Sequence, residues 1–494
     1  MPLLALIPAT NLTPTIALAV CVLAIPLIVL TGRRPNLREA VSLLAAGTTF
    51  LLVLSIYQAH EAGQEMAYEL VRVTDTLRIA FRVDDLGLIF ALVASGLWIL
   101  NTLYSIGYMR AHREHKQTRF YACFAAAIAA ALGAAFSSNL FSLYVFYEVL
   151  TLVTYPLVIH AETDKARAGA RRYLTYLLGA SIAFFLPALF ITASLAGTLE
   201  FHPDGLLTQA VLTGGLEISA GLSGFLFLLF LAGVAKGALM PLHAWLPAAM
   251  VAPTPVSALL HAVAVVKAGV FTISRIVFHV FGVELLARDG VNNLLVWGAC
   301  ATIILASLIA LAQDNLKRRL AYSTVSQLSY ILLGAGMLVP LAAEGGLVHI
   351  GMHAASKITL FFCAGAIMVG AHKTEISQMH GLGRKMPFTF LAFLIGSFCV
   401  IGVPPMGGAW SKWFLALGAA DAGQLTMVAV LMVSSLLSIG YLMPVVGRGF
   451  FSPAPPDDGH GHDDDGHGGT GKSGIQEAPF LCVMPPVVTA IGCV

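Results

Sequence analysis

The stretch at residues 231–247, LAGVAKGALMPLHAWLP, indicates which kind of fold the chain adopts. It starts as an apolar helix and then places Lys236 and Gly237 shortly before Pro241 and His243. A charge at the centre of a bilayer costs roughly 3 kcal/mol on insertion scales, so such a residue faces a hydrated interior. Proline removes a backbone donor, and open backbone at membrane depth is tolerated only beside a cavity or packed protein. The stretch therefore predicts an interrupted membrane helix with a buried cation.

The composition of the whole chain indicates a protein of the lipid bilayer. Of 494 residues, 58% are hydrophobic and only 11% are charged, which predicts an all-α polytopic membrane protein. About 20 apolar residues make one crossing, and thirteen spans lie near 3–30, 39–58, 84–108, 118–136, 138–160, 172–197, 221–240, 252–274, 293–313, 319–339, 345–371, 387–419 and 424–447. A fourteenth begins near 479, and because only 16 residues follow to Val494 we expect helix 14 to be incomplete here.

The distribution of basic residues predicts an orientation. Loops after odd-numbered spans hold 19 of the 28 lysines and arginines, and loops after even-numbered spans, counting Arg275, hold five. The positive-inside rule then places the odd loops in the cytoplasm and the N-terminus outside, in the cell's inner membrane.

The charged and titratable residues inside the predicted spans are few. They are Lys236, Lys267, Lys357 and Lys412, the single acid Glu148, and His243, His261, His349 and His353. Intramembrane ionisable groups indicate an ion path by default, and the alternative is a lysine at a helix end that extends to the interface. A desolvated lysine exchanges its proton readily and a nearby carboxylate modulates that exchange. We therefore expect Glu148 and Lys236 to act as a pair.

The sequence VHIGMHAASKITLFF places His349, His353 and Lys357 at i, i+4 and i+8. These positions share one helix face, about 6 Å apart per step, which is typical of a water-bridged proton relay. Two histidines at i, i+4 can also hold zinc, but no third ligand accompanies them. Structural hydrogen bonding between packed helices is the other alternative.

Two interrupted spans occupy corresponding positions in two halves of the chain, and this layout predicts a repeat. In the first broken span, Gly237 and Pro241 follow Lys236, and Pro253 and Pro255 start the span after it. In the second, CVIGVPPMGGAWSKWF, Pro404 and Pro405 precede Lys412. Paired interrupted helices indicate a transporter with inverted repeats. The predicted units are helices 1–3 (1–117), a first repeat of helices 4–8 (118–274), a second repeat of helices 9–13 (293–447), a polar loop (448–478) and the start of helix 14 (479–494), with helices 7 and 12 broken.

The polar loop contains DDGHGHDDDGHGGTGKS at 457–473, in which His460, His462 and His467 are weak candidate metal ligands. Its glycine spacing gives no preformed geometry, so we predict a solvated loop and no metal site.

Several stretches resemble the antiporter-like subunits of Mrp-type multisubunit Na+/H+ antiporters, respiratory complex I and membrane-bound hydrogenases. These stretches are KGALMPLHAWLPAAMVAPTPVSALLHAVAVVKAGVF, LAYSTVSQLSY, HIGMHAASKITLFFCAGAI and GVPPMGGAWSKWF. The resemblance covers roughly residues 80–445. FYEVLTLVTYPLVIHAET and QMHGLGRKMPFT look most like the D-type subunits of the Mrp family.

This resemblance implies a 14-helix fold with two inverted five-helix bundles. It also implies roles: Glu148 and Lys236 as the charged pair of a first half-channel, Lys267 as the connecting lysine, and Lys412 as the lysine of a second half-channel. His349, His353 and Lys357 match the central relay.

We therefore predict a proton-translocating subunit of a monovalent cation (Na+)/H+ antiporter that works with other membrane subunits. The alternative is a proton-pumping subunit of NADH:quinone oxidoreductase or a membrane-bound hydrogenase. A subunit energising another process and a stand-alone solute carrier are further alternatives. No nucleotide fingerprint, cysteine cluster or quinone motif is present, so any redox chemistry would belong to partners, and we expect neither a cofactor nor a nucleic-acid ligand.

Overall fold

The structure is a computed structural model that describes residues 9–453 and 475–494. Within these ranges, ten helices are long and apolar enough to cross a membrane. Three shorter apolar helices accompany them, at Ala220–Gly233, Pro387–Ile401 and Phe480–Ile491. The predicted all-α, multi-pass membrane architecture is therefore confirmed. The number of fourteen spans, the two inverted repeats and the unit boundaries remain predictions.

The N-terminal part consists of three long helices and one hairpin. Its elements are α1 (Thr13–Leu30), α2 (Pro35–Glu61), β1 (Ala67–Arg72), β2 (Arg78–Arg82) and α3 (Asp85–Ala111). The two antiparallel strands pair Ala67 with Arg82. From the sequence we predicted loops and no strands between the spans, so this hairpin was not predicted.

The middle of the chain alternates long helices with short and irregular ones. Its helices are α4 (Gln117–Ala135), α5 (Leu140–Val158), α6 (Asp164–Ala180), α7 (Leu186–Ala196), α8 (Leu206–Gly214), α9 (Ala220–Gly233), α10 (Trp245–Ala248), α11 (Thr254–Ala258), α12 (Val265–Arg275) and α13 (Val283–Asp289). A π-helical turn at Ser181–Phe185 joins α6 to α7, and another at Leu259–Val263 lies between α11 and α12. In the helical segment Thr254–Phe281 every residue except the half-buried Phe278 and His279 is buried, so this segment lies in the protein core.

The C-terminal part contains the longest helix of the described ranges. Its helices are α14 (Asn292–Leu311), α15 (Leu316–Gly336), α16 (Pro340–Ala371), α17 (Leu382–Lys385), α18 (Pro387–Ile401), α19 (Gly407–Asp421), α20 (Leu425–Phe451) and α21 (Phe480–Ile491). The 32-residue α16 packs against α15, α18, α19 and α21.

Small residues allow the helices to approach closely, as is usual in membranes. The alanine-rich α4 is mostly buried and packs on α5. A Cβ atom on Gly133 of α4 would lie 2.3 Å from the ring of Phe146 on α5. Any larger residue at position 133 would therefore force the Phe146 ring to move.

The first predicted helix break is present, but the helix ends earlier than expected. Helix α9 ends at Gly233, whereas we predicted a span to 240, and a 3₁₀ turn at Ala235–Gly237 follows. A Cβ atom on Gly269 of α12 would lie 2.2 Å from the backbone nitrogen of Gly237. The absence of a side chain at Gly269 therefore lets the broken segment pack directly on the central helix.

The second break separates two helices where the sequence predicted one span at 387–419. Helix α18 ends at Ile401 and α19 begins at Gly407. A Cβ atom on Gly408 would lie 1.9 Å from the carbonyl oxygen of Cys399, so the start of α19 packs on the end of α18. Lys412 lies on α19 beyond this break, whereas Lys236 lies within the first break, so the two lysines are not placed equivalently.

Arg275 is a correction to the predicted loops. We predicted it in a loop after span 8, but it ends α12 inside the Thr254–Phe281 segment and is fully buried. Its Nη2 atom donates a 2.6 Å hydrogen bond to Oδ1 of Asp84, the residue that caps α3. The helical segment extends seven residues past the predicted end at 274, and the ion pair compensates the buried charge of Arg275 within it.

Candidate functional site

Lys236 lies in the first helix break and is fully buried. Its Nζ atom donates hydrogen bonds to the carbonyl oxygen of Tyr147 at 2.7 Å and to Oγ1 of Thr151 at 2.6 Å. The same atom lies 3.1 Å from the centroid of the Tyr147 ring. Helix α5 therefore solvates this ammonium group through a carbonyl, a hydroxyl and an aromatic face.

Glu148 neighbours these groups on α5 but does not contact Lys236 directly. Within the described ranges, its two carboxylate oxygens are buried without a hydrogen-bond partner, and no ion pair within 4.0 Å joins them to Lys236. Glu148 lies next to Tyr147 and one helical turn before Thr151, the two residues of α5 that bind the Lys236 ammonium group. The structure thus brings the predicted pair near each other without forming a salt bridge.

Lys267 connects the first broken segment to the long helix α16. It lies on α12 two positions before Gly269, whose Cα faces the Lys236–Gly237 backbone. Its Nζ atom lies 2.5 Å from Nδ1 of His353 on α16, and both side chains are buried. The predicted connecting lysine and one member of the predicted relay are therefore in direct contact.

The three predicted relay residues of α16 have different partners. The ring centroids of His349 and His353 are 6.0 Å apart. Nδ1 of His349 shares a 2.8 Å hydrogen bond with Oγ of Ser411, the residue before Lys412. Nζ of Lys357 instead donates to Oγ of Ser323 at 2.5 Å, and so points to α15.

Lys412 and His349 both lie against the ring of Tyr330. The rings of Tyr330 and His349 are stacked at 5.4 Å, and Nζ of Lys412 lies 4.9 Å from the Tyr330 centroid. Lys412 also donates to the carbonyl oxygen of Ile401 at 3.0 Å and to Oγ of Ser435 at 3.1 Å. It is half-buried beside a cavity of about 780 Å³.

We call Lys267, His353, His349 and Lys412 the Lys/His row. The remaining two predicted histidines lie beside this row. His261 occupies the π-helical turn, and in the described part of the chain neither of its buried ring nitrogens has a hydrogen-bond partner. Its ring centroid lies 4.7 Å from that of Phe361 on α16. His243 is half-buried, with its ring centroid 6.1 Å from that of Tyr322.

The predicted helix-breaking residues take different positions. Pro241 is exposed in the irregular segment after Gly237, and Pro253 and Pro255 are buried at the start of α11, where Asn101 donates to the Pro255 carbonyl at 3.3 Å. Pro404 and Pro405 line the cavity beside Lys412. The weak metal candidates His460, His462 and His467 lie outside the described residues.

Sequence reasoning missed the side chains that solvate the lysines. They are Tyr147 and Thr151 for Lys236, Ser323 for Lys357, and Tyr330 and Ser435 for Lys412. Thr151 follows Glu148 by one helical turn, and this spacing is a signal that could have found it. The serines carry no comparable pattern because they reach the lysines from other helices.

Two family models match this chain. The model described as NADH:quinone oxidoreductase/Mrp antiporter, TM, covers residues 137–438, which is more than half of the sequence. The chain belongs to this family. A second model, NADH-Ubiquinone oxidoreductase (complex I), chain 5 N-terminus, matches residues 72–121. The protein is thus an antiporter-like membrane subunit of the complex I/Mrp superfamily, as its sequence motifs predicted.

Its curated relatives include quinone oxidoreductase subunits. The chain is 33% identical to NADH-quinone oxidoreductase subunit N of Desulforudis audaxviator over 89% of its own length and 88% of the relative. It is 32% identical to NAD(P)H-quinone oxidoreductase chain 5 of Synechocystis over 84% of its length, and spans 64% of that relative.

Two solved structures have the same fold. A chain of the Mrp complex from Dietzia matches with a TM-score of 0.82 at 21% identity, over 98% of this chain and 93% of that one. A chain of the archaeal membrane-bound sulfane sulfur reductase, a respiratory membrane complex, matches with a TM-score of 0.83 at 24% identity, over 97% and 93%.

Proposed function

We propose that this subunit carries protons across the membrane as part of a multisubunit monovalent cation (Na+)/H+ antiporter. The observation that carries the proposal is the 2.5 Å contact between Nζ of Lys267 and Nδ1 of His353, both buried. At that distance one nitrogen donates a proton and the other accepts it, so the pair holds one shared proton. The contact joins α12, in the first predicted repeat, to α16, in the second.

The second half of the path runs from His353 through His349 towards Lys412. The 6.0 Å between the two imidazole centroids leaves room for a bridging water. From His349, Ser411 supplies a hydroxyl that can accept and donate, and the Tyr330 ring contacts both the imidazole and Lys412. Protons would leave or enter this half through the cavity beside Lys412.

The first half of the path is formed by Glu148 and Lys236. A buried, negatively charged carboxylate without a hydrogen bond is unfavourable in free energy. A protonated, positively charged Lys236 nearby reduces that cost. In this structure the Lys236 ammonium group is held by three contacts to α5. If its distance from Glu148 changed, the preferred charge state of Lys236 would change with it. Coupling between ion movement and proton movement is then electrostatic, and this chain needs no cofactor of its own.

The surroundings of the subunit follow from the sequence and from its relatives. The bias of basic residues supports a location in the cell's inner membrane with the N-terminus outside. The two structural neighbours come from an Mrp complex and from a respiratory membrane complex. We therefore expect other membrane subunits as partners, and H+ and Na+ as the transported ions.

A second candidate is a proton-pumping subunit of a NADH:quinone oxidoreductase-type complex. The names of the curated relatives favour it, because both compared relatives are quinone oxidoreductase subunits. In that assembly the oxidoreductase chemistry would lie in other subunits, and the same Lys/His row would carry the protons. The D-type identity within the Mrp family is part of the first candidate only.

Vesicles that contain the purified native complex and a trapped pH dye test both candidates. Proton movement in response to a Na+ gradient supports the antiporter, whereas proton movement only on addition of NADH and a quinone supports the second candidate. Lys267→Ala should abolish either signal, and Lys373→Ala, which changes an exposed lysine, should preserve it. Undiminished proton movement in Lys267→Ala would rule out the proposed path.

A further inference from the structure

Three side chains of types that commonly bind metal ions lie together where the loop after α3 meets the loop after α5. This cluster is separate from the Lys/His row. Glu114, His115 and His160 place one carboxylate oxygen and two imidazole nitrogens within 4.8 Å of one another. Oε2 of Glu114 is 3.7 Å from Nε2 of His160, and the ring centroids of the two histidines are 5.1 Å apart. These residues belong to two separate loops, so the cluster exists only in the folded chain.

His160 is the anchor of the cluster. Its side chain is completely buried, and within the described ranges neither ring nitrogen has a hydrogen-bond partner. Buried polar atoms are almost always satisfied by protein, water or an ion. Since the ring faces Glu114 and His115, its free nitrogen points to the place where a ligand shared by all three side chains would lie.

The loop that carries the other two residues is held in place. Arg113 and Lys116 flank Glu114 and His115, and both adopt a positive φ of 50°. The backbone nitrogen of Glu114 donates to the carbonyl oxygen of Met109 at 3.0 Å. Nε2 of Gln117 donates to the carbonyl oxygen of Glu114, also at 3.0 Å. The backbone therefore presents both side chains towards His160 without rearrangement of the loop.

The nearest cations to the cluster are partly neutralised by Glu162. Lys116 and Arg119 both bind the carboxylate of Glu162, at 2.5 Å and 2.7 Å. In the described ranges, Glu114 forms no ion pair with lysine or arginine within 4.0 Å, so its negative charge is available to a metal.

We propose that Glu114, His115 and His160 bind a divalent transition-metal ion, with Zn2+ as the best-matched chemistry. Two imidazoles and one carboxylate are an established zinc ligand set, with water as a fourth ligand. Tetrahedral bonds of 2.0–2.2 Å need ligand atoms about 3.4 Å apart, so the cluster must contract slightly. The exposed side chain of His115 can make that movement while the buried His160 stays in place. A bound ion would link the two loops.

The test uses the purified complex in detergent, with Co2+ as a spectroscopic probe and Zn2+ as a competitor. The parent protein carries His460→Asn, His462→Asn and His467→Asn, so that the histidine-rich segment does not bind the probe. We expect one Co2+ per chain with visible absorption typical of low coordination, displaced by Zn2+, and a Zn2+-dependent rise in melting temperature.

Three variants of this parent decide the outcome. His115→Ala and Glu114→Gln should each weaken Co2+ binding by more than about tenfold and remove the Zn2+-dependent thermal shift. His372→Ala, which changes another exposed histidine near a helix end, should bind as the parent does. Equal affinity in the parent and in both cluster variants would overturn the proposal, as would a parent that binds no Co2+. The two partly exposed residues make the test independent of the buried His160.

Discussion

Nζ of Lys267 on α12 lies 2.5 Å from Nδ1 of His353 on α16, although the two residues are 86 positions apart in the chain. Both side chains are buried among apolar helices. A lysine and a histidine in contact share one proton between them, and either can pass it on when its other neighbours change charge. This contact is the point at which the two halves of the proposed path meet.

Replacement of His353 by alanine should interrupt proton transfer at this contact. We expect a loss of turnover of about a hundredfold, the usual contribution of a positioned proton-transfer group. His353→Gln should be nearly as slow, because an amide keeps a hydrogen bond to Lys267 but cannot carry a proton. The measurement is proton flux in vesicles, and His372→Ala is the matched control. A His353→Gln variant at native speed would contradict a proton-carrying role.

Glu148→Gln should separate stability from transport. The carboxylate oxygens are buried without hydrogen bonds, so loss of the charge should leave the melting temperature unchanged or raise it, by up to about 1 kcal/mol of stability. Proton flux should fall strongly, because Lys236 loses the charge that modulates it. Glu344→Gln alters an exposed acid on α16 and should change neither quantity. A Glu148→Gln variant that transports normally would remove this residue from the mechanism.

Gly269→Ala should damage the packing of the first helix break on the central helix. The added Cβ would lie 2.2 Å from the Gly237 nitrogen, and because the opposing atom is backbone, the segment must shift. We expect a loss of about 1–3 kcal/mol of stability, as for other overpacked cores, and reduced transport through displacement of Lys236. Gly179→Ala places its methyl group in open space on α6, so it should be neutral or slightly stabilising. Melting curves of the two variants provide the comparison.

Asp84→Asn should destabilise the protein because it leaves the buried Arg275 without its counter-charge. Removal of one partner of a buried pair costs about 3–5 kcal/mol. The adjacent Asp85→Asn changes a side chain that is 88% exposed and should be nearly neutral. A thermal melt of both variants beside the parent makes the comparison.

The same pair predicts a dependence on pH. Burial by itself would raise the pKa of Asp84, but Arg275 outweighs burial and holds the pKa below its ordinary 3.8. A carboxyl group with a lowered pKa stabilises the fold above that ordinary value, and the contribution is lost as the pH falls below it. The stability advantage of the parent over Asp84→Asn should therefore be constant at neutral pH and shrink below about pH 3.8. An advantage that already vanishes at pH 6 would contradict this ion pair.

Much of the architecture follows from short-range patterns. Apolar runs of about 20 residues predicted the membrane helices, and glycine and proline beside Lys236 and Lys412 predicted breaks in two of them. The sequence could not place the ends of these breaks, because where a helix stops depends on what packs against it. Helix α9 ends before Lys236 where Gly269 lets the chain approach α12.

By itself, the sequence determined that this is a multi-pass helical membrane protein of the complex I/Mrp superfamily, with lysines and histidines inside its spans. Helical periodicity also placed His349, His353 and Lys357 on one face of α16. Only the tertiary structure decided their partners: Lys267 for His353, Ser411 for His349 and Ser323 for Lys357. It also brought together Glu114, His115 and His160. The physical reason is that periodicity fixes the direction of a side chain within its own helix, whereas the atom it meets depends on how distant helices and loops pack.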